Sequence, residues 1–354
     1  MKVLIVSCAA GGGCTSVAVA VEEKLREHGH ETTSLDLRSL AGEKTCKIRW
    51  NLFRHQQDIR SESRMQQYLQ DNEFDVIVVT HVLAAVVLSL LNSGQMRLPK
   101  MIYVGSDYCS VPCIEDSCCD YYVIPSEKLT AEFCRKGILK EKILPAGIPV
   151  KKEFLTGMSS EEAREAVKMP GKDFRILLWA ENIRPHKLML TVKSVKRYLD
   201  RHPEAGLTIA GIGKEQIYSR LSMVCGGDSR ILLAEDESAQ AVLMKACDVM
   251  IAGSNGPLAA EAAVLGVPLV QLIPSNVNER HNAEFFARYG MSMAVKRPGA
   301  KLYRALELLR DEQRRSDMVN AQHLHISQLA AAEICSLAEA TMMTVEAGSA
   351  SLLV

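Results

Sequence analysis

The sequence predicts an α/β protein built from two doubly wound domains in tandem. Short apolar runs alternate with helical segments from the first residues onward, and the alternation restarts after about residue 150. The runs are nearly continuous, with no period of two, which suits parallel strands buried on both faces. A chain of 354 residues is long enough for two separate cores.

In the first half, "KVLIVS" is the opening strand. A glycine triplet, Gly11, Gly12 and Gly13, follows it, and then a helix over 16–27. "ETTSLDL", "DVIVVTH" and "KMIYVGSD" read as further strands. The stretch "AAVVLSLLNSG" between the last two is helical, with Gly94 as its stop. Short extended pieces, "DYYVIPS" and "EKILPAGIPV", flank the helix "EKLTAEFCRKG". In the second half the strands are "FRILLWA", "GLTIAG", "SRILLAE", "DVMIAGS" and "VPLVQLIP". The expected boundaries are 1–149, 150–330 and a C-terminal helix and tail over 331–354. Paired domains of this kind are expected to face one another and take their ligand at the strand ends, in the cleft between them.

Composition excludes several classes. Lys plus Arg and Asp plus Glu each number 42, so the net charge is zero, whereas a general nucleic-acid binder would be basic. Hydrophobic residues at 47% and charged residues at 24% are those of an ordinary globular protein. No apolar run reaches the roughly 18 residues of a membrane span, and "MKVLIVS" reads as a strand, not a leader. The eleven cysteines show no C-x-x-C spacing, even in the dense group Cys109, Cys113, Cys118 and Cys119. That pattern fits reduced thiols in a cytoplasmic protein better than a disulfide framework or a zinc site.

Glycine between a strand and a helix permits positive φ and close approach of a ligand to the backbone. The helix beyond offers unpaired N–H groups to an anion. The triplet is neither a G-x-G-x-x-G fingerprint nor a P-loop, and a plain tight turn is the alternative.

Several segments together point further. They are "GGGC", "THVLAAVVLSLL", "GSDY", the hinge "KGILKEKILPAGIPVKKEF" and the block "DVMIAGSNGPLAAEAAVLGVPLVQLIPSNVNERHNAEFF". The chain thereby resembles the two-domain glycosyltransferases of the GT-B fold. The group is that of monogalactosyldiacylglycerol synthase and processive diacylglycerol glucosyltransferase, related to the transferase that adds N-acetylglucosamine to the lipid-linked peptidoglycan precursor. The resemblance runs with interruptions to about residue 310, and the hinge and "NERHNAEFF" are its specific parts. It implies two Rossmann-like domains, a UDP-sugar donor on the C-terminal one and a lipid acceptor such as diacylglycerol on the N-terminal one. It also implies inversion at the sugar carbon, with no cofactor and no catalytic metal.

The resemblance assigns roles residue by residue. The turn Gly253, Ser254, Asn255 and Gly256 would hold the donor diphosphate at the start of a helix beginning near Pro257. Glu261 would accept the ribose hydroxyls, and Asn278 and Glu279 would contact the sugar. Gly211 and Gly213 end a strand where base and ribose sit in the group, although a plain turn fits them equally. Asp107 would take the acceptor proton, with a capping role as its alternative. Gly11, Gly12, Gly13 and His81 would line the acceptor side. Cys14 stands where the group has histidine; at a helix N-terminus its thiol is expected to be acidic and to share the catalytic place with Asp107.

Two departures stand out. The group's Lys-Pro-Gly-Gly is replaced by "SNGPL", and its glycine-rich turn after the first C-domain strand by "AENIRPHKL". There Arg184, His186 and Lys187 offer positive charge instead. Finally, Arg49, Trp50, Phe53 and Arg54 lie in a stretch where basic and aromatic residues interleave, as suits an anionic membrane surface, with a solvated helix as the alternative. The expected setting is cytoplasmic, peripheral on the inner face of the cell membrane. Two other readings remain open at this point: a catalytically impaired member that binds nucleotide sugar or lipid as a sensor or partner, and a sugar-nucleotide epimerase on the same fold.

Overall fold

A computed structural model describes residues 1–8, 12–41, 59–94, 96–234, 239–274 and 277–350. Gly11, Arg49, Trp50, Phe53 and Arg54 lie outside them. The chain divides into two compact units: Met1–Lys152 together with Ser327–Val354, and Glu153–Ile326. Each contains one six-stranded sheet, and every strand pair is parallel.

The first sheet comprises β1 (Lys2–Ser7), β2 (Glu31–Asp36), β3 (Val76–Val79), β4 (Lys100–Val104), β5 (Tyr121–Val123) and β6 (Ile143–Leu144), in the order β2-β1-β3-β4-β5-β6. Its helices are α1 (Gly12–Glu27), α2 (Leu37–Ala41), α3 (Ile59–Asp71), α4 (Val82–Ser93) and α5 (Thr130–Arg135). Val3 to Val6 and Val76 to Val79 have no exposed surface, because helices cover both faces of the central strands. α4 is capped at both ends: His81 Nδ1 accepts from the Leu83 N–H at 3.1 Å, and the Gly94 N–H donates to Leu91 O.

In the second unit the helices are α6 (Ser160–Ala166), α7 (Pro185–Leu199), α8 (Glu215–Cys225), α9 (Gln240–Ala246), α10 (Gly256–Val264), α11 (Val277–Arg288), α12 (Ala300–Leu309) and α13 (Glu312–His325). The strands are β7 (Phe174–Trp179), β8 (Ala205–Ala210), β9 (Ile231–Leu233), β10 (Val249–Gly253), β11 (Leu269–Leu272) and β12 (Met293–Val295), ordered β12-β11-β10-β7-β8-β9. Asp248 locks the start of β10. One carboxylate oxygen accepts from Arg164 of α6 at 2.8 Å and the other from the Arg175 backbone N–H at 2.7 Å.

The last helix, α14 (Ala330–Ala350), belongs to the first unit and packs on α1. It buries Ala331, Ile334, Cys335, Ala338 and Thr341, a stripe at helical spacing. No disulfide joins any of the described cysteines. Among the described residues no helix is long and apolar enough to cross a membrane.

The backbones of β8 and of the turn before β7 touch. A Cβ on Gly206 would stand 2.2 Å from the carbonyl of Pro170, and backbone cannot yield as a side-chain tip can. Gly206→Ala should therefore cost about 3 kcal/mol of stability, the range of a severe overpacking change. Urea unfolding of the variant beside the native protein measures it.

Candidate functional site

Parallel sheets collect ligands at the carboxyl ends of their strands, where the strand order reverses and neighbouring helices depart in opposite directions. In the second unit the reversal falls between β7 and β10. A cavity of about 360 Å³ opens there. The turn after β7 supplies Asn182 and Arg184, the start of α7 supplies Lys187, the end of β10 supplies Gly253, and Pro274 and Glu279 come from the β11–α11 side.

The turn after β7 lacks the glycines of the resembled group, and Asn182 stands in for one. Its φ is +63°, in the left-handed region that asparagine enters more readily than most residues. α7 then starts with Pro185 in its first turn, where a missing N–H costs nothing. Lys187, in the first turn of α7, donates to the carbonyl of Ile273 just past β11. Burial holds its ammonium pKa below the usual lysine value. The cavity wall thus joins two cationic side chains to the N-terminus of a 15-residue helix.

The turn after β10 is tightly bonded. Asn255 caps α10, its Oδ1 accepting from the Leu258 N–H at 3.0 Å, and the helix begins at Gly256, one residue before the expected start. Ser254 is buried and its carbonyl accepts from Asn282 Nδ2 at 3.0 Å. Glu261 is no surface glutamate: it is 3% exposed, and Gln240 Nε2 donates to it at 3.1 Å. It does not wall the cavity, whereas Glu279 does; Asn278 beside it is half-buried in the same first turn of α11.

Gly211 and Gly213 lie after β8, both with positive φ, and neither walls this cavity. Gly211 has a structural reason to be glycine: a Cβ there would come within 2.7 Å of the Trp179 ring. Gly213 faces open space.

In the first unit the reversal falls between β1 and β3. α1 begins at Gly12, so Gly12 and Gly13 are the first turn of the helix and not a loop before it. Cys14 follows in that turn. Its carbonyl accepts from Thr80 Oγ1 at 3.1 Å and its Sγ lies 3.8 Å from Ser106 Oγ. Residues after β1, β3 and β4 thereby meet at one sheet edge: Cys14, Thr80 with His81, and Ser106 with the half-buried Asp107. The expectation of an acidic thiol is corrected here. Burial pushes Cys14 up to about 11, the Asp107 carboxylate adding to the effect against a bond from Ser106, so the thiol is neutral near pH 7.

Sequence reasoning did not single out Asn182 or Gln240. An asparagine directly after a strand was the available signal for the first. The second is placed only by tertiary packing.

Among known proteins, residues 37–150 match the family model for monogalactosyldiacylglycerol (MGDG) synthase. The processive diacylglycerol beta-glucosyltransferase of Bacillus licheniformis is 24% identical over 279 residues, which cover 75% of this chain and 68% of the relative. The fold is GT-B. Acinetobacter baumannii MurG superposes with a TM-score of 0.61 at 15% identity, covering 96% of this chain and 99% of that one. The UDP-GlcNAc 2-epimerase of Neisseria meningitidis, bound to UDP-GlcNAc, gives a TM-score of 0.67 at 12% identity over 95% and 99%. Sequence and fold together fit the glycosyltransferase group that the motifs resemble.

The His81 environment predicts a pH dependence. Burial lowers its pKa to about 4, partly countered by Asp36. The unfolded chain binds this proton near pH 6.5, the folded one only near pH 4. Stability from this group is complete above pH 6.5 and is lost as pH falls toward 4, by about 3 kcal/mol at most. His81→Asn keeps a capping side chain and should flatten that part of the stability–pH curve, read by denaturant unfolding between pH 7 and 4.

Proposed function

We propose that the protein is a hexosyltransferase that moves a hexosyl or N-acetylhexosaminyl group from a UDP-sugar to a lipid acceptor such as diacylglycerol, with inversion. The observation that carries this reading is the cationic cavity at the β7/β10 reversal, in a chain whose curated relatives are named glycosyltransferases. In this reading Arg184, Lys187 and the α7 N-terminus receive the donor diphosphate and stabilise it as it leaves. Gly253 gives the backbone approach beside it, and Glu279 with Asn278 orients the sugar hydroxyls. Ser254 and Asn255 shape the turn through their own bonds, and Glu261, held by Gln240, meets the ribose only after a shift of side chains.

The acceptor belongs to the first unit. Asp107 is the general base, within reach of the edge where Gly12, Gly13 and His81 lie. Cys14, neutral, serves as a hydrogen-bonding group there and not as a nucleophile. Membrane contact through Arg49, Trp50, Phe53 and Arg54 completes the reading.

A second reading, binding without turnover, is favoured by one observation. Pro257 and the capping side chain of Asn255 remove N–H donors from the very turn that holds diphosphate in the resembled group. One assay separates the readings: release of UDP from UDP-glucose, UDP-galactose and UDP-GlcNAc, with and without diacylglycerol vesicles. Vesicle-dependent release supports the transferase. Binding of UDP without release supports the second reading, and product formed without vesicles points to an epimerase.

Two variants sharpen the test. Lys187→Ala should weaken UDP binding about tenfold, equivalent to about 1.4 kcal/mol, by calorimetry. Asp107→Asn should leave UDP affinity unchanged and lower kcat by about 10²–10⁴, the usual worth of a positioned base.

A further inference from the structure

The turn between α1 and β2 carries His28 and His30, and α14 carries the buried Cys335 with the solvent-reaching Glu339 one helical turn later. Sequence separation of about three hundred residues is closed by the packing of α14 on α1. His28 Nδ1 and His30 Nε2 lie 3.3 and 2.8 Å from the same Glu339 oxygen, and Cys335 Sγ is 3.8 Å from it. The ligand atoms of His28, Cys335 and Glu339 all lie within 4.8 Å of one another.

Imidazole, thiolate and carboxylate are the donor types of zinc. At zinc's bond lengths of about 2.0–2.3 Å, donors around one tetrahedral ion stand about 3.3–3.8 Å apart. The observed spread exceeds that by about 1 Å at most. Cys335 and Glu339 sit four residues apart on one helix face, which fixes their spacing. Gly29, at φ +79° with open space around it, turns the chain so that both histidines meet α14. Cys335 is fully buried while Glu339 and His28 reach solvent, so an ion has an entry path and a sheltered sulfur.

We propose that His28, Cys335 and Glu339 form a binding site for a divalent transition metal of the zinc class, with His30 orienting the Glu339 carboxylate from outside. Binding displaces the Cys335 thiol proton to solvent. The site is structural. α1 is 16 residues long, so its C-terminal end stands about 24 Å from the N-terminal turn that holds Cys14. The ion would clamp the chain's last helix to α1 and take no part in group transfer.

The test uses the full-length protein, stripped with EDTA and titrated with Co²⁺ alone. The expected result is one Co²⁺ per chain, with a thiolate-to-metal charge-transfer band that Zn²⁺ bleaches, and a melting temperature raised by several degrees under Zn²⁺. Cys335→Ala should abolish the band. His28→Gln, a change at an exposed position, should weaken Zn²⁺ binding at least tenfold while leaving the circular dichroism spectrum unchanged. The proposal is overturned if the native chain takes up no Co²⁺ at micromolar concentration, if uptake shows no thiolate band, or if His28→Gln binds Zn²⁺ as the native protein does.

Discussion

The structure depends on one topological constraint: in each sheet two neighbouring strands send their helices away to opposite sides. In the second unit β7 leads through α7 to β8, while β10 leads through α10 to β11 on the other side. Right-handed crossovers leave no other arrangement. Nothing in the sheet can cover the gap between the two departing helices, and both N-termini border it. Side chains just past β7 and β10 thus border an open gap before any chemistry is considered. Arg184 and Lys187 give the wall of that gap positive charge.

The same constraint acts in the first unit with a different outcome. Two effects compete for the thiol of Cys14. A helix N-terminus favours the thiolate by about 0.3–1 kcal/mol, less than one pKa unit. Burial outweighs it and carries the group up to about 11. His81 is likewise kept neutral by burial.

The strands were legible because they are buried on both faces: "KVLIVS" and "FRILLWA" leave no other reading for so short and so apolar a run. β12, three residues long with one exposed, carried no such signal. The start of α1 was misplaced because glycine is a poor helix former, and local propensity gave way to the strand-to-helix geometry. Gly253 and Glu279, given roles by resemblance alone, line one cavity. The burial of Glu261 was hidden, since a glutamate on a helix gives no local sign that Gln240, twenty-one residues earlier, will meet it. The steric demand at Gly211 was hidden for the same kind of reason: the Trp179 ring that a Cβ there would meet is thirty-two residues away.

The return of α14 to the first unit has a practical corollary for anyone dissecting the gene. The segment Glu153–Ile326 is one uninterrupted stretch and can be excised with two cuts, whereas its companion is encoded in two pieces. A fragment stopped at Lys152 would leave bare the flank of α1 that Ile334, Cys335 and Ala338 shield. Splicing 327–354 behind residue 152 through a short linker, or permuting the chain, is what would restore that flank.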